Sequence, residues 1–477
     1  DGNDLLDGGA GRDRATYSQA TGGVTVDLAA GTVSGAGVGA DTLLSIEVIR
    51  GSEFVDTFDA TSFGATSANA GSDGSFNSFE GRGGNDIITG NGNTSISYRN
   101  ATGAVTVDLA AGTATGDASV GSDTILGGVS NVNASAFDDM LSGNSGNNLF
   151  VGNAGNDDID GRGGLDRAVY ASLTEDTVTG GVSINLAAGT VTGDASVGTD
   201  TLHSVEFIRG SNFADTYNAA GFSDSSANAG SNGTFNEIEG MAGNDTITGN
   251  GNTRMAFYNA TGAVTVDLAA GTATGDNSVG ADTIIGGVNS VAGSKFGDTL
   301  LGLNNAAQTA ENFEGRAGDD FIDGRGGFDR AIYGNDTAVT SGIAVNLAAG
   351  TVIGDGSVGT DTLRSTEGVR GTNFADTYDA TGFSTSSTNA GSGSNFNEFE
   401  GLGGNDTITG NGNTRISYSS ATGGVTVNFS THTVTGNAST LGTNPELKLI
   451  DIVHALKAGH RQGASWGMNA ATLAEVR

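Results

Sequence analysis

Cysteine is absent from the 477 residues, and proline and tryptophan occur once each. Without cysteine there are no disulfides, thiolate metal sites or thiol redox chemistry. Collagen is excluded despite 82 glycines, because a triple helix needs glycine at every third position and abundant proline. Basic residues are scarce, with 20 Lys and Arg against 54 Asp and Glu, a net charge of −34. Such a chain repels phosphate backbones and anionic membrane surfaces and attracts cations, which argues against nucleic acid as a partner. Leu, Ile, Val and Phe make up only roughly a fifth of the residues, close to the composition at which highly charged chains stay disordered. Something besides apolar burial is therefore expected to help the chain fold. No stretch approaches the about twenty consecutive apolar residues of a membrane span. Opening on Asp1, the sequence reads as a piece of a longer protein.

What the chain has in abundance is repetition. VTVDLAAGT at Val24 returns at Val105, Val182, Val264, Ile343 and Val425, with some substitutions, at spacings of 77 to 82 residues. Alternate copies are the more alike: RGSEFVDTFDA from Arg50 returns as RGSNFADTYNA from Arg209 and RGTNFADTYDA from Arg370. The larger unit is thus about 160 residues, which predicts long repeats over 1–165, 166–328 and, in part, 329–443. Val24, Val26 and Leu28 alternate with polar neighbours, the period of a half-buried strand. Short strands between Gly, Asn and Asp turns, with no helical crossovers, predict an all-β sandwich array or a parallel solenoid.

A nine-residue period decides between these. GNSGNNLF from Gly143, GNAGNDDI from Gly152 and GRGGLDRA from Gly161 each start nine residues after the last. The same form begins at Gly8, Gly81, Gly240, Gly315, Gly324 and Gly401, and degenerate registers carry Asp4 and Asp139. These strings resemble the GGxGxDxU nonapeptide, with U a large apolar residue, of the RTX or hemolysin-type calcium-binding proteins of secreted bacterial β-roll type. Stretches such as GTDTLHSVEFIRGSNFADTY, from Gly198 to Tyr217, resemble sequence that accompanies these repeats. The resemblance extends to about Ala438.

It implies a parallel β-roll or β-helix solenoid in which two nonapeptides make one coil, so that Asp139 stacks on Asp157 and Asn148 on Asp166. Coils about 4.8 Å apart would set carboxylate against carboxylate unless a cation lay between them. Calcium suits such a place, taking six to eight oxygen ligands, backbone carbonyls included. The implied ligand turns pair Gly8 with Asp13, Gly81 with Asp86, Gly152 with Asp157, Gly161 with Asp166 and Gly240 with Asp245. Gly315 with Asp320, Gly324 with Asp329 and Gly401 with Asp406 complete the set, together with Asp4 and Asp139; the glycines are expected to supply positive φ. Asp56, Asp215 and Asp376, in GS/TxFxDT turns, are second-rank candidates. Asp and Asn also close turns by accepting backbone amides, a use that requires no ion. Several turns depart from the pattern at position two, and Asn148 replaces one carboxylate.

Asp27, Asp108 and Asp267 correspond to Asn185, Asn346 and Asn428, so an exposed position that an amide fills equally well is expected there. Arg14, Arg167 and Arg330 open a DRAxY pattern with Tyr17, Tyr170 and Tyr333, read as arginine stacked on tyrosine or paired with the acidic edge. His203, His432, His454 and His460 form no metal-spaced pair, GxSxG and HExxH are missing, and no single coil gathers basic residues as a polysaccharide lyase would need. No enzyme is expected within the chain. Asn444-Pro445-Glu446 is a helix-start signal, followed by an apolar face through Leu456, which predicts a helical C-terminal cap over 444–477. The expectation is a calcium-folded rod, spacer or adhesive surface, extracellular or on the bacterial cell surface after type I secretion. Its expected partners are calcium, copies of itself or a surface glycan. The alternatives are the calcium-stabilised tail of a secreted enzyme and a self-assembling surface-layer or filament subunit.

Overall fold

The structure is a computed structural model, which describes residues 2–171, 178–230, 232–305, 310–392, 394–428, 433–435 and 439–441. The expected helical cap over 444–477, which contains His454 and His460, lies outside the described residues, as does His432. Among the described residues there is no helix; every regular element is a strand, most of three to five residues, paired chiefly in parallel. This is the all-β pattern of a β-solenoid. Among the described residues no helix is long and apolar enough to cross a membrane. The chain divides into two compact units, Asp1–Thr253 and Arg254–Arg477.

In the first unit the nonapeptides stack as their period requires. Met140–Ser142 pairs in parallel with Asp158–Asp160, and Leu149–Val151 with Arg167–Val169, so that Met140 faces Asp158 and Leu149 faces Arg167. The middle residue of each triplet points inward, making Leu141, Ile159 and Leu202 one buried row and Phe150, Ala168 and Ile208 another. Elsewhere Phe58 and Phe79 stack with centroids 4.7 Å apart. Each large side chain buried in these rows stabilises the fold by about 1.5–3 kcal/mol.

The VTVDLAAGT segment interrupts this pattern. Ser183–Asn185 joins the parallel ladder through Thr216–Asn218, then folds back antiparallel on Thr190–Thr192, which is antiparallel to Thr199–His203. Thr199–His203 then rejoins the ladder beside Asp158–Asp160. The five copies from Val24 to Ile343 are therefore meanders that each lengthen one coil, and such coils alternate with nonapeptide coils.

The second unit repeats the arrangement. Thr299–Leu301 lies parallel to Phe321–Asp323 and Asn312–Glu314 to Arg330–Ile332, while Ala344–Asn346, Thr351–Ile353 and Thr360–Arg364 form the meander. Leu300, Ile322 and Leu363 make one inward row; Phe313, Ala331 and Val369 make the other.

Candidate functional site

The site begins at the six-residue turn G-x-x-G-x-D. Its first glycine provides space: a Cβ on Gly81, Gly152, Gly240 or Gly315 would collide with Oδ2 of Asp86, Asp157, Asp245 or Asp320. Positive φ belongs instead to the second and fourth positions. The second is non-glycine at Arg82 (71°), Asn153 (69°), Arg162 (64°), Met241 (68°), Arg316 (76°), Arg325 (60°) and Leu402 (63°). These are the departures from the nonapeptide pattern visible in the sequence, and a side chain in this region costs about 1–2 kcal/mol. Positive φ in these turns is thus carried by glycines such as Gly84, Gly155 and Gly318, while at the first glycine the carboxylate occupies the volume a side chain would fill.

The turn aspartates form columns. In the first unit the Asp139 N–H donates to Asp157 Oδ1 (2.9 Å) and the Asp157 N–H to Asp200 Oδ1 (3.1 Å). Likewise Asp56 donates to Asp86 (2.8 Å) and Asp86 to Asp123 (2.9 Å), while Asn148 donates to Asp166 (2.7 Å). In the second unit Asp298 donates to Asp320 (2.7 Å), Asp320 to Asp361 (3.0 Å) and Asp376 to Asp406 (3.0 Å). Asp245, buried, accepts from the Asp215 N–H (2.8 Å). Asp4 is exposed and donates its N–H to Asp41, and the half-buried Asp13 donates to Glu47.

The stacking of Asp139 on Asp157 and of Asn148 on Asp166 is therefore direct. Sequence reasoning missed Asp298 and the column members Asp41, Asp123, Asp200, Asp361, Glu47, Glu206 and Glu367. Their signal was recurrence, in the dipeptide DT and in the segments SIEVIRG, SVEFIRG and STEGVRG.

Two classes of turn share these columns. In one, Ser or Thr stands second and clamps the carboxylate. Ser52 donates its N–H to Asp56 Oδ2 (2.7 Å) and its hydroxyl to Oδ1 (2.8 Å), which also accepts the Val24 N–H (2.7 Å). Ser135 does the same for Asp139, Ser211 for Asp215, Ser294 for Asp298 and Thr372 for Asp376. Asp139 thus joins the second-rank candidates Asp56, Asp215 and Asp376.

In the other class Oδ2 of Asp86, Asp157, Asp166, Asp320 and Asp329 is buried without a hydrogen-bond partner. These are turns whose second residue has positive φ. At Asn144, which lacks positive φ, the N–H bonds Asn148 Oδ1 at 2.8 Å. Backbone conformation at one residue thus separates a satisfied carboxylate from an orphaned one.

Burial, reinforced by neighbouring carboxylates, pushes Asp86, Asp157, Asp320 and Asp329 up to about 8 and Asp166 up to about 7. Asp200 and Asp361 are raised to about 7 by burial. A buried carboxylate lacking a partner is costly by several kcal/mol, so these turns call for a positive charge, either a proton or a metal ion. The donors are hard oxygens, the type calcium takes. Among the described residues no three acidic or histidine side chains stand close enough to hold a metal alone. Calcium bound here would take one or two carboxylates and draw its remaining ligands from backbone carbonyls or water.

Asp27, Asn185 and Asn346 each cap the amide three residues on, which an amide oxygen does as well as a carboxylate. Asp108 and Asp267 add bidentate pairs to Arg162 (2.7 and 2.6 Å) and Arg325 (2.7 and 2.8 Å). Arg167 pairs with Glu237 (2.9 Å) and Arg330 with Glu398 (2.5 Å), whereas Tyr170 and Tyr333 are buried inside. Pairing with acid, not stacking on tyrosine, is the arrangement. His203 faces Asp158 at 3.6 Å on the surface. A hollow of about 600 Å³ on the first unit is lined by residues including Arg12, Ser78, Ser95, Asn131, Asn133 and Arg209. No protein-family model matches the chain, and no curated protein sequence matches it.

Proposed function

We propose that the chain is a calcium-stabilised β-solenoid of RTX type, working outside the cell or on a bacterial surface as a rod, spacer or adhesive face after type I secretion. The observation that carries this reading is the buried, unpartnered Oδ2 repeated at Asp86, Asp157, Asp166, Asp320 and Asp329. In a calcium-poor compartment the acidic columns repel themselves and the chain stays loosely folded. Where calcium is plentiful it binds the native state alone, and each site held at a hundred times its Kd adds about 2.7 kcal/mol. The charge of −34 favours cations at every stage. The hollow lined in part by Ser78, Ser95, Asn131, Asn133, Arg12 and Arg209 supports a surface glycan as the adhesive partner.

The test is far-UV circular dichroism with thermal melting of chelator-treated protein, titrated with calcium and separately with magnesium. A calcium-specific gain in β signal and a large rise in Tm are expected. A chelated protein already fully folded, and indifferent to calcium, would refute the reading.

A further inference from the structure

Three turns carry an acidic partner that lies far outside the nonapeptide. The N–H of Asp13 donates to Glu47 Oε2 (3.0 Å), that of Asp166 to Glu206 Oε2 (3.0 Å) and that of Asp329 to Glu367 Oε2 (3.1 Å). Glu47, Glu206 and Glu367 are at most 1% exposed. Oε1 of Glu47 and Glu206, and Oδ2 of Asp13, Asp166 and Asp329, are buried without a hydrogen-bond partner.

A strained residue stands beside each pair. Ser45, Ser204 and Ser365 have φ of 52°, 52° and 48°, in the left-handed region that a serine enters at a cost of about 1–2 kcal/mol. This conformation aims the serine carbonyl at the turn: a Cβ on Gly161 would collide with Ser204 O and lie 2.5 Å from Asp166 Oδ2. Gly8 meets Ser45 O, and Gly324 meets Ser365 O, in the same way. Strain kept at the same place in three copies indicates that the carbonyl is needed there.

Each pair is also roofed. The loop beyond the serine lays Gly71, Gly230 or Gly391 against Oε1 of Glu47, Glu206 or Glu367, where a Cβ would collide with it. Buried Asn69, Asn228 and Asn389 hold the loop down, bonding both the N–H and the carbonyl of Ile46, Val205 and Thr366. Ser72, Asn232 and Ser392 bond Gly11, Gly164 and Gly327 of the turn.

We propose that each Asp–Glu pair, with its serine carbonyl, is a calcium site of its own, closed by the loop and completed by a glutamate from outside the nonapeptides. Two carboxylates and an aimed carbonyl give a hard divalent cation the core of its ligand set, and the roof keeps the site from open solvent. The inference rests on the calcium reading above but assigns ligands, Glu47, Glu206 and Glu367, that the repeat motif does not contain.

The test is isothermal titration of calcium into the chelator-stripped chain, wild type against Glu47→Gln/Glu206→Gln/Glu367→Gln. Glutamine keeps an oxygen for the aspartate N–H and removes the charge. The triple variant is expected to bind three fewer ions per chain. Equal stoichiometry in both proteins overturns this inference and leaves the calcium reading standing; a wild type that binds no calcium overturns both. Should circular dichroism show the triple variant unfolded, each single variant is titrated, with one ion fewer expected and an unchanged count overturning the proposal.

Discussion

Asp139 and Asp157 occupy neighbouring coils of one column, yet their surroundings differ. Asp139 is held by the N–H and hydroxyl of Ser135, while Asp157 keeps one oxygen orphaned because Asn153 has turned into the left-handed region. The comparison teaches that a hydroxyl at position two does internally what a cation is proposed to do from outside. Clamped turns are then the permanent part of the scaffold and open turns the conditional part.

The largest effect that would sharpen this contrast is in pH. Open-turn carboxylates with folded values near 8, above those of the unfolded chain, bind protons in the folded state that the unfolded state does not. Their stabilising contribution is complete below about pH 4 and lost as pH rises through about 8. Chelated protein should therefore lose several kcal/mol between pH 5 and pH 8, read as a falling Tm, and saturating calcium should flatten the slope. A Tm that climbs with pH in chelator would reverse the assignment.

Asp215→Ala comes next. It strands the Ser211 N–H, the Ser211 hydroxyl and the Val182 N–H, at a cost of about 3–5 kcal/mol in urea denaturation, the same with and without calcium. Asp157→Asn should do the opposite in chelator at pH 8, stabilising by about 1–3 kcal/mol through removal of a buried charge, and should reduce the gain from calcium. Asn148 already fills the equivalent place in the neighbouring turn. If both substitutions destabilised equally in chelator, the two classes would be one. The smallest effect is Met241→Gly, expected to add about 0.5–1 kcal/mol by relieving positive φ, measured by the same denaturation.

The stacking of the turns was legible because glycine and aspartate recur every nine residues and the resemblance to RTX repeats implies two nonapeptides per coil, which brings Asp139 onto Asp157. Asp200 and Glu206 were not legible as column partners. A meander separates them from Asp157 and Asp166, and recurrence marks a residue as required without saying what it touches. The tyrosine reading failed for a plainer reason: residues three apart in a strand face opposite sides, so Arg167 points out where Tyr170 points in. The role of the first glycine was hidden because space and φ call for the same residue.

The column bonds all run one way. Each turn amide donates to a carboxylate later in the chain, as Asp56 to Asp86, Asp86 to Asp123 and Asp139 to Asp157. Parted between two coils, a unit would show amide donors on one cut face and carboxylate acceptors on the other. Each unit thus has a head and a tail, and copies meeting by their coil ends would match only head to tail, the relation that grows an open filament and not a closed pair.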